Sequence, residues 1–210
     1  MLPSPDPDSI NTEAELDSIY RRPAEHVTNS TLAFLHDFHL AYLRVAPIVC
    51  IGSGATEGYD VSPRGGPRGF VRVLDRKTVA IPDFPGNNKI ETIRNIVRDD
   101  RVALLFLFPG LDIFMRIAGR ARVTRNAELR EQLICDGKQP ISVIVVSVEA
   151  VYFHCGRAIS RSRIWDPATH ISRQLVPSPG EMMKVLARIG EQSAAELDEF
   201  YRRGMTDDLY

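Results

Sequence analysis

The sequence predicts a mainly β fold of the α+β class, with helices flanking it at both ends. Three observations carry that expectation. Apolar and polar residues alternate at period two in "GFVRVLD", "KTVAIPD" and "DIFMRIAGRARVTR", the pattern of half-buried strands. "RVALLFLFPG" and "PISVIVVSVEAVYFH" are apolar and β-branched runs bounded by turn residues. Between residues 45 and 153 these segments follow one another through short turns, interrupted by only two helical patterns. That order suits a closed or split antiparallel barrel of five or six strands and not a βαβ repeat.

The elements follow in order. Residues 1–11 read as a loose, acidic, proline-rich tail. Thr12 followed by Glu15 fits a capping box that opens a short helix to about Arg22. Leu32, Leu35, Leu40 and Leu43 recur near helical period and predict a second helix over 30–43. "APIVCIGSGATEG" reads as a buried strand entering a glycine-rich turn. "GFVRVLD" and "KTVAIPD" pair as a hairpin about Asp75 and Arg76. Ile90–Arg98 is helical, 101–110 a fully buried strand, 112–125 a long strand and 126–135 a helix. After the strand at 140–154 comes a loop, "HCGRAISRSRIWDP", and then helices near 179–189 and 192–203. The expected division is a tail and short helix over 1–29, a barrel over 30–170 and a helical extension of the same domain over 171–210.

Composition narrows the function. With 26 Lys+Arg against 27 Asp+Glu, the net charge of −1 points neither to nucleic acid nor to a membrane surface. Residues 61–125 nevertheless hold 13 of those bases against six acids, Asp75, Asp83, Glu91, Asp99, Asp100 and Asp112. A basic middle inside a neutral chain suggests one localised anionic ligand. Cys50, Cys135 and Cys155 are odd in number, widely spaced and without a CxxC, which fits neither a disulfide framework nor zinc. A reducing, cytoplasmic setting is expected from that usage and from the absence of signal-peptide character or an apolar run of about 20 residues.

No GxxxxGK[ST], no GxGxxG ahead of a helix, no HExxH and no GxSxG occurs. His36 and His39 alone share an i, i+3 spacing, which surface and core filling explain better than a metal. What remains is "PGNNK" between a strand and a helix. Gly86 can take positive φ there, so that backbone N–H groups, the Asn87 and Asn88 amides and the Lys89 ammonium face one space. A lysine at a helix start is electrostatically unhelpful unless an anion sits beside it. A solvated turn whose asparagine caps the helix explains the same residues equally well. Ser62 and Arg64 in "DVSPRGGPRG", with Arg116 and Arg120 in "MRIAGRARV", shift the balance toward phosphate, which arginine can grip bidentately. Arg116 alternates with Met115 and Ile117 and should face away from them.

Taken together, "DVSPRGGPRGFVRVLDRKTVAIPDFPGNNKIETIRNI", "VALLFLFPG", "MRIAGRARV" and "YFHCGRAISRSRIWDP" resemble the pyridoxamine 5'-phosphate oxidase-like FMN-binding proteins, over roughly residues 30–170. The resemblance implies a six-stranded antiparallel split β-barrel, a homodimer and one FMN per subunit at the dimer interface. It implies that Ser62, Arg64, Asn87, Asn88 and Lys89 hold the FMN phosphate. Arg116 would lie beside the ribityl chain or ring, with Phe114 standing where the family has a glutamine. The backbone around Phe70 and Val71 would run along the isoalloxazine. Arg161, Ser162 and Trp165 would approach the partner's flavin. The ending "EFYRRGMTDDLY" departs from the true oxidases, so pyridoxal phosphate synthesis is not expected. The expected activity is a flavin-dependent oxidoreductase acting on an unidentified small molecule, with NAD(P)H as reductant; the alternative is a non-enzymatic binder or sensor of flavin or haem.

Overall fold

The computed structural model describes residues 6, 8–56 and 58–207. Most of the expected tail, residues 1–5 and 7, lies outside the described residues, as do Glu57 in the glycine-rich turn and residues 208–210 at the C-terminus. Two compact units are present, Met1–Thr31 and Leu32–Tyr210. The first holds α1 (Glu13–Ile19) and α2 (Glu25–Asn29). Thr12 and Glu15 form the expected capping box, with the Glu15 amide donating to Thr12 Oγ1 at 3.2 Å and the Thr12 amide to Glu15 Oε2 at 2.9 Å.

The expected helix over 30–43 is a correction. Only α3, Asp37–Leu43, is helical within it. Leu32 makes a β-bridge to Val151, and Leu35 exchanges hydrogen bonds with Arg76 through its amide and carbonyl. Leu32, Leu35, Leu40 and Leu43 do all meet the core, but from two different conformations. Periodicity reported burial there, not helicity. His36 and His39 serve the helix start. The His36 amide donates to His39 Nδ1 at 3.0 Å, and His36 Nδ1 accepts from the Phe38 amide at 3.3 Å, closing a capping box.

The second unit is built on one antiparallel sheet ordered β2-β1-β5-β6-β7-β4-β3. The strands are β1 (Ile48–Ala55), β2 (Gly58–Gly65), β3 (Arg72–Asp75), β4 (Thr78–Asp83), β5 (Arg101–Leu107), β6 (Ile113–Thr124) and β7 (Ser142–Cys155). Its two ends, β2 and β3, are not joined, so the sheet is open, as in the split-barrel class. The count of six is corrected to seven. The added strand is β2, which contains Pro63 and two glycines and so reads as loop. At the edge of a sheet a proline forfeits no ladder bond to a second neighbour, and that is where β2 sits.

Inward side chains of β1, β4, β5, β6 and β7 form the main core with Leu35 and Leu43, and Ile96 of α4 (Glu91–Arg98) joins them. A smaller cluster of Ala80, Leu133, Val143 and Val145, joined by Leu129 of α5 (Ala127–Gln132), covers the other face of β7. Double-sided burial explains why 142–146 is the most β-rich run. β5, expected to be fully buried, alternates instead: Val102, Leu104 and Phe106 face the core, while Ala103 is exposed and Leu105 and Leu107 are half-buried. C-terminal to β7, the expected loop contains a helix, α6 (Arg157–Ser162), followed by α7 (Pro179–Leu186) and α8 (Ala194–Thr206).

Candidate functional site

β2 alternates cleanly. Tyr59, Val61 and Pro63 point outward, while Asp60, Ser62 and Arg64 are half-buried on the core-facing side, in register with Ser53, Ile51 and Val49 of β1. On that side the chain from the end of β4 to the start of α4 passes by, and the two segments enclose a groove of about 690 Å³. Ser62, Arg64, Asn87, Asn88 and Lys89 all line it, together with Asp60, Asp83, Phe84, Glu91 and Ile93. Segments separated in sequence by the whole β3–β4 hairpin therefore supply one cavity.

Local conformation places the loop residues. Asn88, not Gly86, takes the left-handed conformation, with φ 59°. Asparagine tolerates that region better than other non-glycine residues, because its short side chain can bond locally. The Lys89 amide donates to Asn87 Oδ1 at 3.0 Å. No side chain caps α4: its cap residue is Ile90, so the first-turn N–H groups have no side-chain cap acceptor, although Glu91 stands in that turn and Asp60 accepts from Thr92 Oγ1. Neither asparagine caps the helix.

The acids of the groove escaped the sequence reading. Asp83 Oδ1 lies 3.3 Å from Arg64 Nε, and both side chains are more than four-fifths buried. Arg64 Nη1 also donates to Ser62 Oγ at 2.5 Å and to the Pro63 carbonyl at 3.0 Å. Asp60 Oδ2 accepts from Thr92 Oγ1 at 2.5 Å, tying β2 to α4. Had β2 been recognised, the i, i+2, i+4 spacing of Asp60, Ser62 and Arg64 would have put the first of these acids on the groove side.

The remaining expected residues lie elsewhere. Phe70 and Val71 are core side chains. Phe70 borders a separate cavity of about 150 Å³ that shares Pro82 and Phe84 with the groove, so the two spaces flank the same segment of chain. Arg116 does face away from Met115 and Ile117, which puts it on the opposite side of the sheet from Arg64. It pairs in register with Leu105 and Tyr152, its guanidinium 5.4 Å from the Tyr152 ring centre. Arg161 and Ser162 lie on α6 and bond to backbone within it, to the carbonyls of Arg157 and Ile159. Trp165 Nε1 donates to the Leu111 carbonyl at 3.1 Å. Within one chain, then, five of the expected residues converge and Arg116, Arg161, Ser162 and Trp165 do not join them. Among the described residues no cluster of His, Cys, Asp and Glu could hold a metal, and no helix is long and apolar enough to cross a membrane.

An open antiparallel sheet with flanking helices and a groove between its edge strand and a helix start defines the class. The sequence profile described as pyridoxamine 5'-phosphate oxidase matches residues 35–155, more than half of the chain, and the chain belongs to that family. No curated protein matches it by sequence. Among solved structures it is similar to a variant of HupZ from Group A Streptococcus, at 15% identity over 57% of this chain and 99% of that one, with a TM-score of 0.47. It is similar also to General Stress Protein 26 from Bacillus anthracis (8% identity, 54% and 88% covered, TM-score 0.44). An FMN-binding protein from Syntrophomonas wolfei shares 11% identity, with 54% and 81% covered and a TM-score of 0.42.

Proposed function

We propose that this protein binds FMN with its phosphate in the β2–α4 groove, works as a homodimer, and acts as a flavin-dependent oxidoreductase on a small molecule. The observation that carries the reading is the meeting of Ser62 and Arg64 with Asn87, Asn88 and Lys89 beside an uncapped helix start, in a chain of this family. The donor set suits a phosphate. Lys89 supplies a point charge, Asn87 and Asn88 supply amides, Ser62 a hydroxyl, and the first turn of α4 its free N–H groups. Phe84, Ile93 and Pro82 give the groove apolar wall that can exclude water from a ligand lying past the phosphate. Bound FMN would supply hydride transfer; the chain supplies placement and charge.

The outer face of the sheet supports the homodimer. One row across five strands reads Val61, Gly52, Ala103, Ala118, Ala150, all small or apolar, and the next reads Pro63, Cys50, Leu105, Arg116, Tyr152. Val61 is 71% exposed, and among the described residues no helix is packed over Ala103 or Ala118. A face of small and apolar residues in mid-sheet is an expected contact surface. Pairing through it would bring Arg116 of one protomer toward the other.

The purified protein should be yellow. Under anaerobic conditions its absorbance should bleach with NADH or NADPH and recover in air. A colourless protein that takes up no added FMN overturns the reading. Flavin that bleaches only with dithionite would leave a binder without the oxidoreductase activity, and a haem Soret band would move attention to His154.

A further inference from the structure

The groove holds two cations, Arg64 and Lys89, against three carboxylates, Asp60, Asp83 and Glu91, an unusual balance for a space expected to hold a phosphate. Asp83 is the pivotal one. It ends β4 in register with Ser142 of β7, and its second oxygen accepts from Ser142 Oγ at 3.4 Å, so it is fixed by the sheet and not by a mobile loop. Its first oxygen lies 3.3 Å from Arg64 Nε as an ion pair, while Arg64 Nη1 donates to Ser62 Oγ and the Pro63 carbonyl.

A guanidinium grips phosphate best with two parallel N–H groups, from either its Nε edge or its paired Nη end. Ser62 and the Pro63 carbonyl engage Nη1 of the paired end, and the Asp83 carboxylate stands 3.3 Å from the Nε edge as the ion-pair partner that a phosphate there must displace. Lys89, by contrast, is exposed and has no carboxylate within ion-pair distance among the described residues. Resting on the reading of this groove as the flavin-phosphate site, we infer that Asp83 is a built-in competitor for Arg64 that keeps FMN exchangeable. Asp83 is a positioning residue: it lowers affinity for the phosphate by holding the guanidinium that would otherwise grip it. The chain then handles FMN as a ligand that loads and leaves, not as a permanently held group.

The test titrates the apo form of the full chain with FMN and, separately, with riboflavin, which lacks the phosphate, following quenching of flavin fluorescence. Asp83→Asn keeps an oxygen for Ser142 and removes the charge. It should bind FMN roughly tenfold tighter than the unsubstituted chain, with slower release, the scale of one added charge-assisted hydrogen bond. Riboflavin affinity should stay within about twofold, because only the phosphate end is altered. Unchanged or weaker FMN binding by Asp83→Asn overturns the inference, as does an equal tightening toward riboflavin. Asp83→Ser is the second variant, and failure of both to fold would also overturn it, since Asp83 would then be structural. If the unsubstituted chain prefers FMN to riboflavin and Asp83→Asn does not enlarge that preference, this inference alone falls. If no form prefers FMN, the groove reading falls with it.

Discussion

Lys89 and Arg64 differ in how free they are to meet an anion, and single substitutions should show it. Lys89→Ala removes an exposed cation that has no ion-pair partner among the described residues, and it should cost FMN retention about 1–3 kcal/mol, read from flavin content after gel filtration and from titration. Arg64→Ala should cost less flavin affinity, because Asp83 and Ser62 already engage that guanidinium, and since it also strips a largely buried Asp83 of its partner, part of its effect will appear as lost stability. Flavin occupancy unchanged in both would refute the groove assignment. A second residue-scale expectation concerns His39, which is 4% exposed. Burial, and secondarily the charge of His36, hold its pKa below the ordinary histidine value. The unfolded chain then binds more protons than the folded one in the window between the two values, so stability is complete above the ordinary value and falls as pH drops through the folded one. Urea midpoints should decline from about pH 7.5 to about pH 5, and His39→Gln should flatten that slope.

At the scale of elements, the β-hairpin, α4 and β6 were legible because each keeps one period, and β7 because its double-sided burial leaves a continuous β-branched run. β2 was not, since its proline and glycines are tolerated only by an edge position that local sequence does not reveal. The false helix over 30–36 has the converse cause: Leu32 and Leu35 are buried by β7 and by the β3–β4 turn, and contacts so distant in sequence mimicked a helical stripe. One glycine fixes how β6 and β7 pair. Their register shifts between Ala118 and Gly119, and a Cβ on Gly119 would overlap the Ser147 carbonyl oxygen. Gly119→Ala should therefore lower stability by about 2 kcal/mol in chemical denaturation, the usual cost of overpacking a site whose neighbour is backbone. An unchanged midpoint would show that the bulge can relax.

For the whole molecule the outer face of the sheet is where the proposed dimer is tested. Ala118 sits within the small-residue row and is exposed in the single chain, so Ala118→Glu should leave the fold intact. In a dimer paired through this face it would bury two added carboxylates where small residues pack, and light scattering after gel filtration should show a monomer. Flavin retention should fall with it if Arg116, Arg161, Ser162 or Trp165 reach the partner's cofactor. A variant that remains dimeric would exclude this face as the contact.

By itself the sequence determined the mainly β class, most of the helices and strands, and the chemistry available near "PGNNK". Those follow from local periodicity, turn residues and side-chain type, which are properties of neighbours along the chain. Only the tertiary structure decided that β2 exists, that Arg116 lies on the opposite side of the sheet from Arg64, and that Asp83 holds the arginine assigned to the phosphate. Each of these depends on strands distant in sequence being brought side by side, and no local pattern encodes which partner a charged side chain will meet there.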